Sequence, residues 1–215
     1  MKLPGIAGTT VHAMFPSLVW EARLDRDAGR SLNEAILVRL EALREGGLAL
    51  RPGEAWQSPV NLHECEELGP LLAAVDKLAR GVLEFLRIGE CGALRLTGCW
   101  ANVNASGAAH RMHAHPNNFL SGVYYVKVPA GADTISFHDP RPQTAIMRPP
   151  VTALTAENTD QVVVRVAEGT LLLFPSWLMH SVDPNASAAL RVSVSFNLMF
   201  ASFAEMLAEP LWGER

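Results

Sequence analysis

A mainly β (α+β) fold, an antiparallel sandwich or barrel buttressed by N-terminal helices, is predicted by three features of the sequence. Two amphipathic helical segments fall before residue 90. After it the apolar spacing turns from helical to alternating, through a series of short runs rich in β-branched and aromatic residues and separated by Gly, Pro, Asn or Asp. The runs do not alternate with helices, as a parallel βαβ sheet would require.

Composition bounds the rest. At 215 residues the chain suits one domain, with residues 1–90 as first strand and helical buttress, 91–200 as the β core and 201–215 as a C-terminal helical tail. Hydrophobic content of 49% and charged content of 19% belong to a chain with a packed core. A formal charge of −4 without a block of Lys or Arg argues against a dedicated nucleic-acid binder. Cys65, Cys91 and Cys99 are odd in number and lack CxxC spacing, so reduced thiols and a cytoplasmic setting are expected. Pro4, Gly5 and Gly8 break the N-terminus, which does not read as a signal peptide, and no apolar run approaches the roughly 20 residues of a membrane helix.

Residues 18–24 place Leu18, Trp20, Ala22 and Leu24 on one face, the pattern of a half-buried strand. Ser31 to Glu34 has capping-box spacing and predicts a helix start; Leu32, Ile36, Leu40 and Leu43 follow at helical intervals until Gly46-Gly47. Pro52, Gly53 and Pro59 mark residues 48–63 as an irregular connection around Trp56. A second helix is expected from about Pro70 to Ile88, with Leu71, Val75, Leu78, Val82, Phe85 and Leu86 facing inward and Gly89 as the stop. Strands are then expected at 94–103, 121–128, 134–138, 161–166, 170–175 and 190–200. Met147 to Asp160, with Pro149-Pro150, is a long loop suited to flank a pocket mouth.

Chemistry concentrates in His110 to Val126. His113 and His115 lie two apart, and on a strand residues i and i+2 share a face about 6.5 Å apart. Two such imidazoles can converge on a cation at metal–nitrogen distances of about 2.0–2.1 Å. His110, three residues from His113, would face away on a regular strand. Tyr125 shares parity with Ser121 and Val123, and Tyr124 points the other way. By contrast, His63 among Glu64, Glu66 and Glu67 reads as a solvated helix N-terminus, and His12 and His138 as structural histidines.

The run from Gly169 to His180 is an apolar strand interrupted by Pro175-Ser176, with a His where the chain turns. In the strand that follows, Arg191, Ser193 and Ser195 alternate with Val192, Val194 and Phe196. In a barrel the polar face would point inward, and a buried Arg demands a partner because an unpaired buried charge is very costly. No acid adjoins Arg191 in sequence, so a bound carboxylate is a candidate, received in a planar fork with Ser193 donating beside it. An outward Arg paired with a surface acid is the alternative.

In order and spacing, these residues resemble the Fe(II)- and 2-oxoglutarate-dependent oxygenases, in particular a bacterial branch. The shared motifs stand here as Trp100-Ala-Asn-Val-Asn104, His113-Ala-His-Pro116, Leu120-Ser-Gly-Val-Tyr-Tyr-Val126, Asp139-Pro-Arg141 and Phe174-Pro-Ser-Trp-Leu-Met-His180. They cover roughly residues 98–200. The resemblance implies a double-stranded β-helix, the jelly-roll barrel also seen in cupins, and Fe(II) held by His113 and His180. It also implies 2-oxoglutarate as cosubstrate, its distal carboxylate on Arg191 with Ser193 and Tyr125. The superfamily's middle ligand is usually a carboxylate, and here that position is His115. Either His115 completes a three-His site, or it points aside and a water or Asp139 takes the place; His110 is a further candidate ligand.

The implied reaction consumes O2 and 2-oxoglutarate, releases succinate and hydroxylates or otherwise oxidises an unidentified substrate. Two other readings stand beside it. One is a cupin-like three-His dioxygenase or zinc lyase or hydrolase, although the Glu that cupins place after HxH is missing and Arg191 and Ser193 go unused. The other is a non-catalytic, anion-binding barrel. A homodimer built on the helices is a candidate assembly.

Overall fold

The computed structural model describes residues 8–89, 93–142, 146–147 and 149–204. Among the described residues ten strands form two antiparallel sheets. They are β1 (Trp20–Arg23), β2 (Ala55–Gln57), β3 (Leu94–Asn104), β4 (His110–His113), β5 (Leu120–Lys127), β6 (Thr134–His138), β7 (Gln161–Arg165), β8 (Thr170–Pro175), β9 (His180–Val182) and β10 (Arg191–Phe200). The six-stranded sheet runs β1-β8-β5-β10-β3-β2 and the four-stranded sheet β4-β9-β6-β7. Among the described residues no strand pairing joins the two, so the double-stranded β-helix is an open sandwich rather than a closed barrel.

Helices α1 (Arg26–Leu43) and α2 (Gly69–Phe85) precede the main strands, and a short turn of helix, α3 (Ala201–Ala204), follows β10. The expected tail beyond residue 204, like Cys91, lies outside the described residues. No helix among the described residues is long and apolar enough to cross a membrane.

The start of α1 corrects the capping-box expectation. Asp25, not Ser31, is the N-cap; it is extended (φ −60°, ψ 154°), and its carboxylate accepts from the Ala28 N–H at 3.1 Å. The helix therefore gains a turn and a half upstream of Ser31. It ends at Leu43, before Gly46 and Gly47 at φ 84° and 70°, a conformation that costs Gly little.

Helix α2 stops earlier than predicted. Arg87 adopts φ 55° and the Ile88 N–H reaches back to the Leu83 carbonyl at 3.0 Å, a Schellman-type closure formed without Gly89. Phe85 and Leu86 are exposed rather than inward, and Ala79 takes the buried position on that face.

Each face of the larger sheet has its own core. Leu32, Ile36 and Leu40 of α1 and Leu71, Val75 and Val82 of α2 pack with Tyr124, Leu171, Leu173, Val192, Val194 and Phe196. On this outer face the Tyr124 hydroxyl donates to Asn33 Oδ1 at 2.8 Å, fastening α1 to β5. Between the sheets a smaller core gathers Val123, Tyr125, Ile135, Phe137, Leu172 and Phe174. The period of two thus splits adjacent residues of β5 and β10 between a structural face and a face that lines a cavity.

Gly122 leaves room on β5 for the Phe196 ring of β10 and the Leu172 carbonyl of β8. A Cβ there would lie 2.6 Å from Phe196 Cε2 and 2.7 Å from the Leu172 carbonyl oxygen, and the latter is backbone that cannot rotate aside. Gly122→Ala is expected to cost at least the roughly 1–3 kcal/mol of an overpacked core. Urea denaturation should show a lowered midpoint; an unchanged midpoint would mean that this packing is looser than described.

Candidate functional site

The cavity between the sheets, about 220 Å³, is lined by residues of both. At one end stand three histidines. His113 ends β4 and pairs directly across from His180, which opens β9. His115 follows two residues later, outside the strand, where its N–H donates to the Ser176 carbonyl at 2.9 Å. Their ligating nitrogens all lie within 4.8 Å of one another, and among the described residues this is the one such group of His, Cys, Asp or Glu.

Two backbone contacts orient the rings. His113 Nδ1 meets the Arg111 carbonyl at 2.7 Å and His180 Nδ1 meets the Leu178 carbonyl at 2.9 Å. A carbonyl can only accept, so each Nδ1 carries a proton and Nε2 is the atom left to ligate when the ring is neutral. Burial pulls His180 down to about 4; its Leu178 hydrogen bond opposes this and the neighbouring histidines add to it. Burial, with His113 alongside, likewise pulls His115 down to about 4. Near neutral pH both are uncharged imidazoles, the form that binds a metal.

At the other end lies Arg191, 4% exposed, its guanidinium carbon 5.3 Å from the centroid of the Tyr125 ring. Its Nε has no hydrogen-bond partner, and its Nη2 makes only a long 3.5 Å contact with the Thr134 carbonyl. The Tyr125 hydroxyl is also buried without a partner. Burial pushes that phenol up to about 12 against the pull of Arg191, so it remains a donor. Burial lowers Arg191 while Tyr125 opposes the shift. Ser193 shares the cavity face, and Ser195 beside it accepts from Asn102 Nδ2 at 3.0 Å. Unpaired donors around a buried cation, with no carboxylate among the lining residues, form a receptor for an anion.

His110 corrects the parity expectation. The pairing of β4 with β9 sets His110 opposite Val182 and His113 opposite His180, three residues against two. This irregularity turns His110 into the cavity, where its Nε2 lies 3.1 Å from Asn104 Oδ1. Burial, then the Arg191 charge and His113, pull it down to about 4. Gln57, on the short edge strand β2, also lines the cavity, in a stretch read from sequence as irregular. Trp100 is a neighbour of the histidines, its ring 5.8 Å from that of His115.

Asp139 does not join the three histidines within ligating distance. Its carboxylate is gripped by Arg141, through Nε at 2.9 and 3.2 Å and Nη2 at 2.7 Å.

Residues 98–197 match a family model described as "Putative 2OG-Fe(II) oxygenase". Solved structures with the same fold include a Pseudomonas putida prolyl-4-hydroxylase, 19% identical at a TM-score of 0.59, covering 86% of this chain and 93% of that one. The epimerase SnoN in complex with Fe3+, alpha ketoglutarate and nogalamycin RO is 17% identical at 0.60, covering 93% and 88%. HygX from Streptomyces hygroscopicus with nickel and 2-oxoglutarate bound is 14% identical at 0.58, covering 86% and 84%. The family match spans just under half of the chain, and the solved structures share its fold. No curated protein matches the sequence.

The residues present fit the metal and cosubstrate of a 2-oxoglutarate oxygenase. Three nitrogen donors converge at one end of the cavity, and at the other lies a buried Arg with no acid on the lining, beside a buried phenol. A 2-oxo acid with a second carboxylate has matching groups at its two ends.

Proposed function

We propose that the protein is a non-haem iron dioxygenase that uses 2-oxoglutarate and O2 to hydroxylate an organic substrate. One observation carries the reading: a single cavity joins three converging imidazoles to a buried Arg191 that has no acidic partner on the lining, with the Tyr125 hydroxyl beside it. His113, His115 and His180 hold Fe(II) in this reading. The Nδ1–carbonyl bonds of His113 and His180 keep their Nε2 lone pairs on the metal side. Arg191, the Tyr125 hydroxyl and the Ser193 hydroxyl receive the distal carboxylate and fix the direction in which the cosubstrate lies. Val123, Ile135 and Phe174 wall the space between, limiting water around those charged contacts and strengthening them. The bound iron supplies O2 activation coupled to decarboxylation of the 2-oxo acid. Gln57, Asn102 and Trp100 remain on the lining to orient the substrate.

The ligands named in the HygX and SnoN structures support this assignment by likeness of fold. Three imidazoles alone would equally suit a zinc hydrolase, but that chemistry leaves the buried Arg191 charge without a counter-ion on the cavity lining. The deciding measurement is calorimetric titration of metal-loaded protein with N-oxalylglycine, followed by succinate analysis under O2 without added substrate. Metal-dependent binding and slow succinate release are expected. Protein that holds metal yet neither binds N-oxalylglycine nor forms succinate would return the site to the hydrolase class.

A further inference from the structure

We infer that His115 ties metal retention to the presence of a dianionic 2-oxo acid, so that each binds weakly without the other. The inference rests on the oxygenase reading above. Its basis is the charge inventory of the cavity. Ligating imidazoles are neutral, and among the described residues none of the side chains lining the cavity is acidic. A divalent metal at the three histidines and the Arg191 guanidinium would therefore place three positive charges at two ends of one small cavity of about 220 Å³. Arg191 has no protein counter-ion there, its Nε being unpartnered and its Nη2 contact a neutral carbonyl. Uncompensated charges of like sign in such a space oppose each other's entry.

A carboxylate at position 115 would cancel one of those charges before any ligand arrived. His115 cancels none, and its ring lies with those of His113 and His180 at centroid distances of 5.1 and 5.2 Å. The compensation must then come from the ligand, one negative charge at the metal and one at Arg191. A 2-oxo acid lacking the distal carboxylate leaves Arg191 unpaired and recovers only part of the gain. By linkage, whatever factor the metal adds to dianion affinity, the dianion adds to metal affinity.

The test uses the full chain, Mn(II) as a redox-quiet probe, N-oxalylglycine as the dianion and 2-oxopentanoate as a monoanion of the same chain length. Mn(II) affinity is read by chelator competition with and without each acid. N-oxalylglycine should tighten Mn(II) on the order of tenfold or more, within the roughly 5–150-fold usual for coupled sites, and 2-oxopentanoate should do markedly less. His115→Asp should bind Mn(II) more tightly alone and show several-fold weaker coupling than the isosteric, uncharged His115→Asn. Equal tightening by the two acids in the parent protein overturns the inference, as does equal coupling in the Asp and Asn variants. Failure of Mn(II)-loaded parent protein to bind N-oxalylglycine at all is a different result: it removes the oxygenase reading, and the inference with it.

Discussion

Arg191→Ala is expected to weaken N-oxalylglycine binding by between about 30-fold and several thousand-fold, because truncating one partner of a buried charge pair typically costs roughly 2–5 kcal/mol. Arg191 is 4% exposed, opens β10 and is the one Arg or Lys among the described residues lining the cavity, so no other such cation there can take over the carboxylate. What separates a binding role from a structural one is the ligand-free protein. A structural Arg would have its donors satisfied by the fold, and its loss would destabilise. Here Nε is unpartnered and the Nη2 hydrogen bond to the Thr134 carbonyl is 3.5 Å long. Removing the cation therefore relieves a desolvation cost as it opens a small void. The melting temperature of ligand-free Arg191→Ala should fall little, and the rise that N-oxalylglycine gives the parent should vanish. Arg191→Lys should retain part of the affinity, because it keeps the charge and loses the planar fork. Intact N-oxalylglycine binding in Arg191→Ala would mean that the carboxylate lies elsewhere.

The site was legible in sequence where alternation is regular. On β10 the period of two put Arg191, Ser193 and Ser195 on one face and Val192, Val194 and Phe196 on the other, and the two faces meet different cores. The same rule separated Tyr125, beneath Arg191, from Tyr124, which bonds Asn33 on α1. It failed where the backbone departs from regularity. His110 was assigned to the wrong face because the irregularity in β4 exists only relative to its partner β9, and pairing leaves no local mark in the sequence. His115 reached the expected place by a different route. It lies past the end of β4, so the strand argument did not apply, and its backbone bond to Ser176 is what brings it beside Trp100 and His180. Gln57 was invisible because a three-residue edge strand is too short to show a period. The fold class followed from element spacing, and the helix ends moved by a few residues because Asp25 and Arg87 end the helices with chemistry that competes with the stronger-looking Ser31 and Gly89 signals.

His180→Ala is expected to reduce metal affinity by more than the roughly 10–100-fold that loss of a supporting second-shell contact usually produces. Three structural facts set this expectation. His180 is 5% exposed, its ring lies 4.8 Å from that of Phe174 and 4.3 Å from that of His113, and its Nδ1 is fixed to the Leu178 carbonyl. The ligating nitrogen is thus preorganised, and little ordering entropy remains to be lost when the metal arrives. His115 is less buried, and it lies past the end of β4 rather than within a strand. His115→Ala should therefore cost less than His180→Ala, and the size of the difference measures how much of the binding comes from preorganisation. Chelator competition on the two variants resolves the ligand set directly. A graded loss, large for His180 and smaller but clear for His115, supports three histidines on one metal. A His115→Ala protein that holds metal as tightly as the parent would leave a two-histidine site. The missing negative charge would then have to be sought in solvent rather than in the chain.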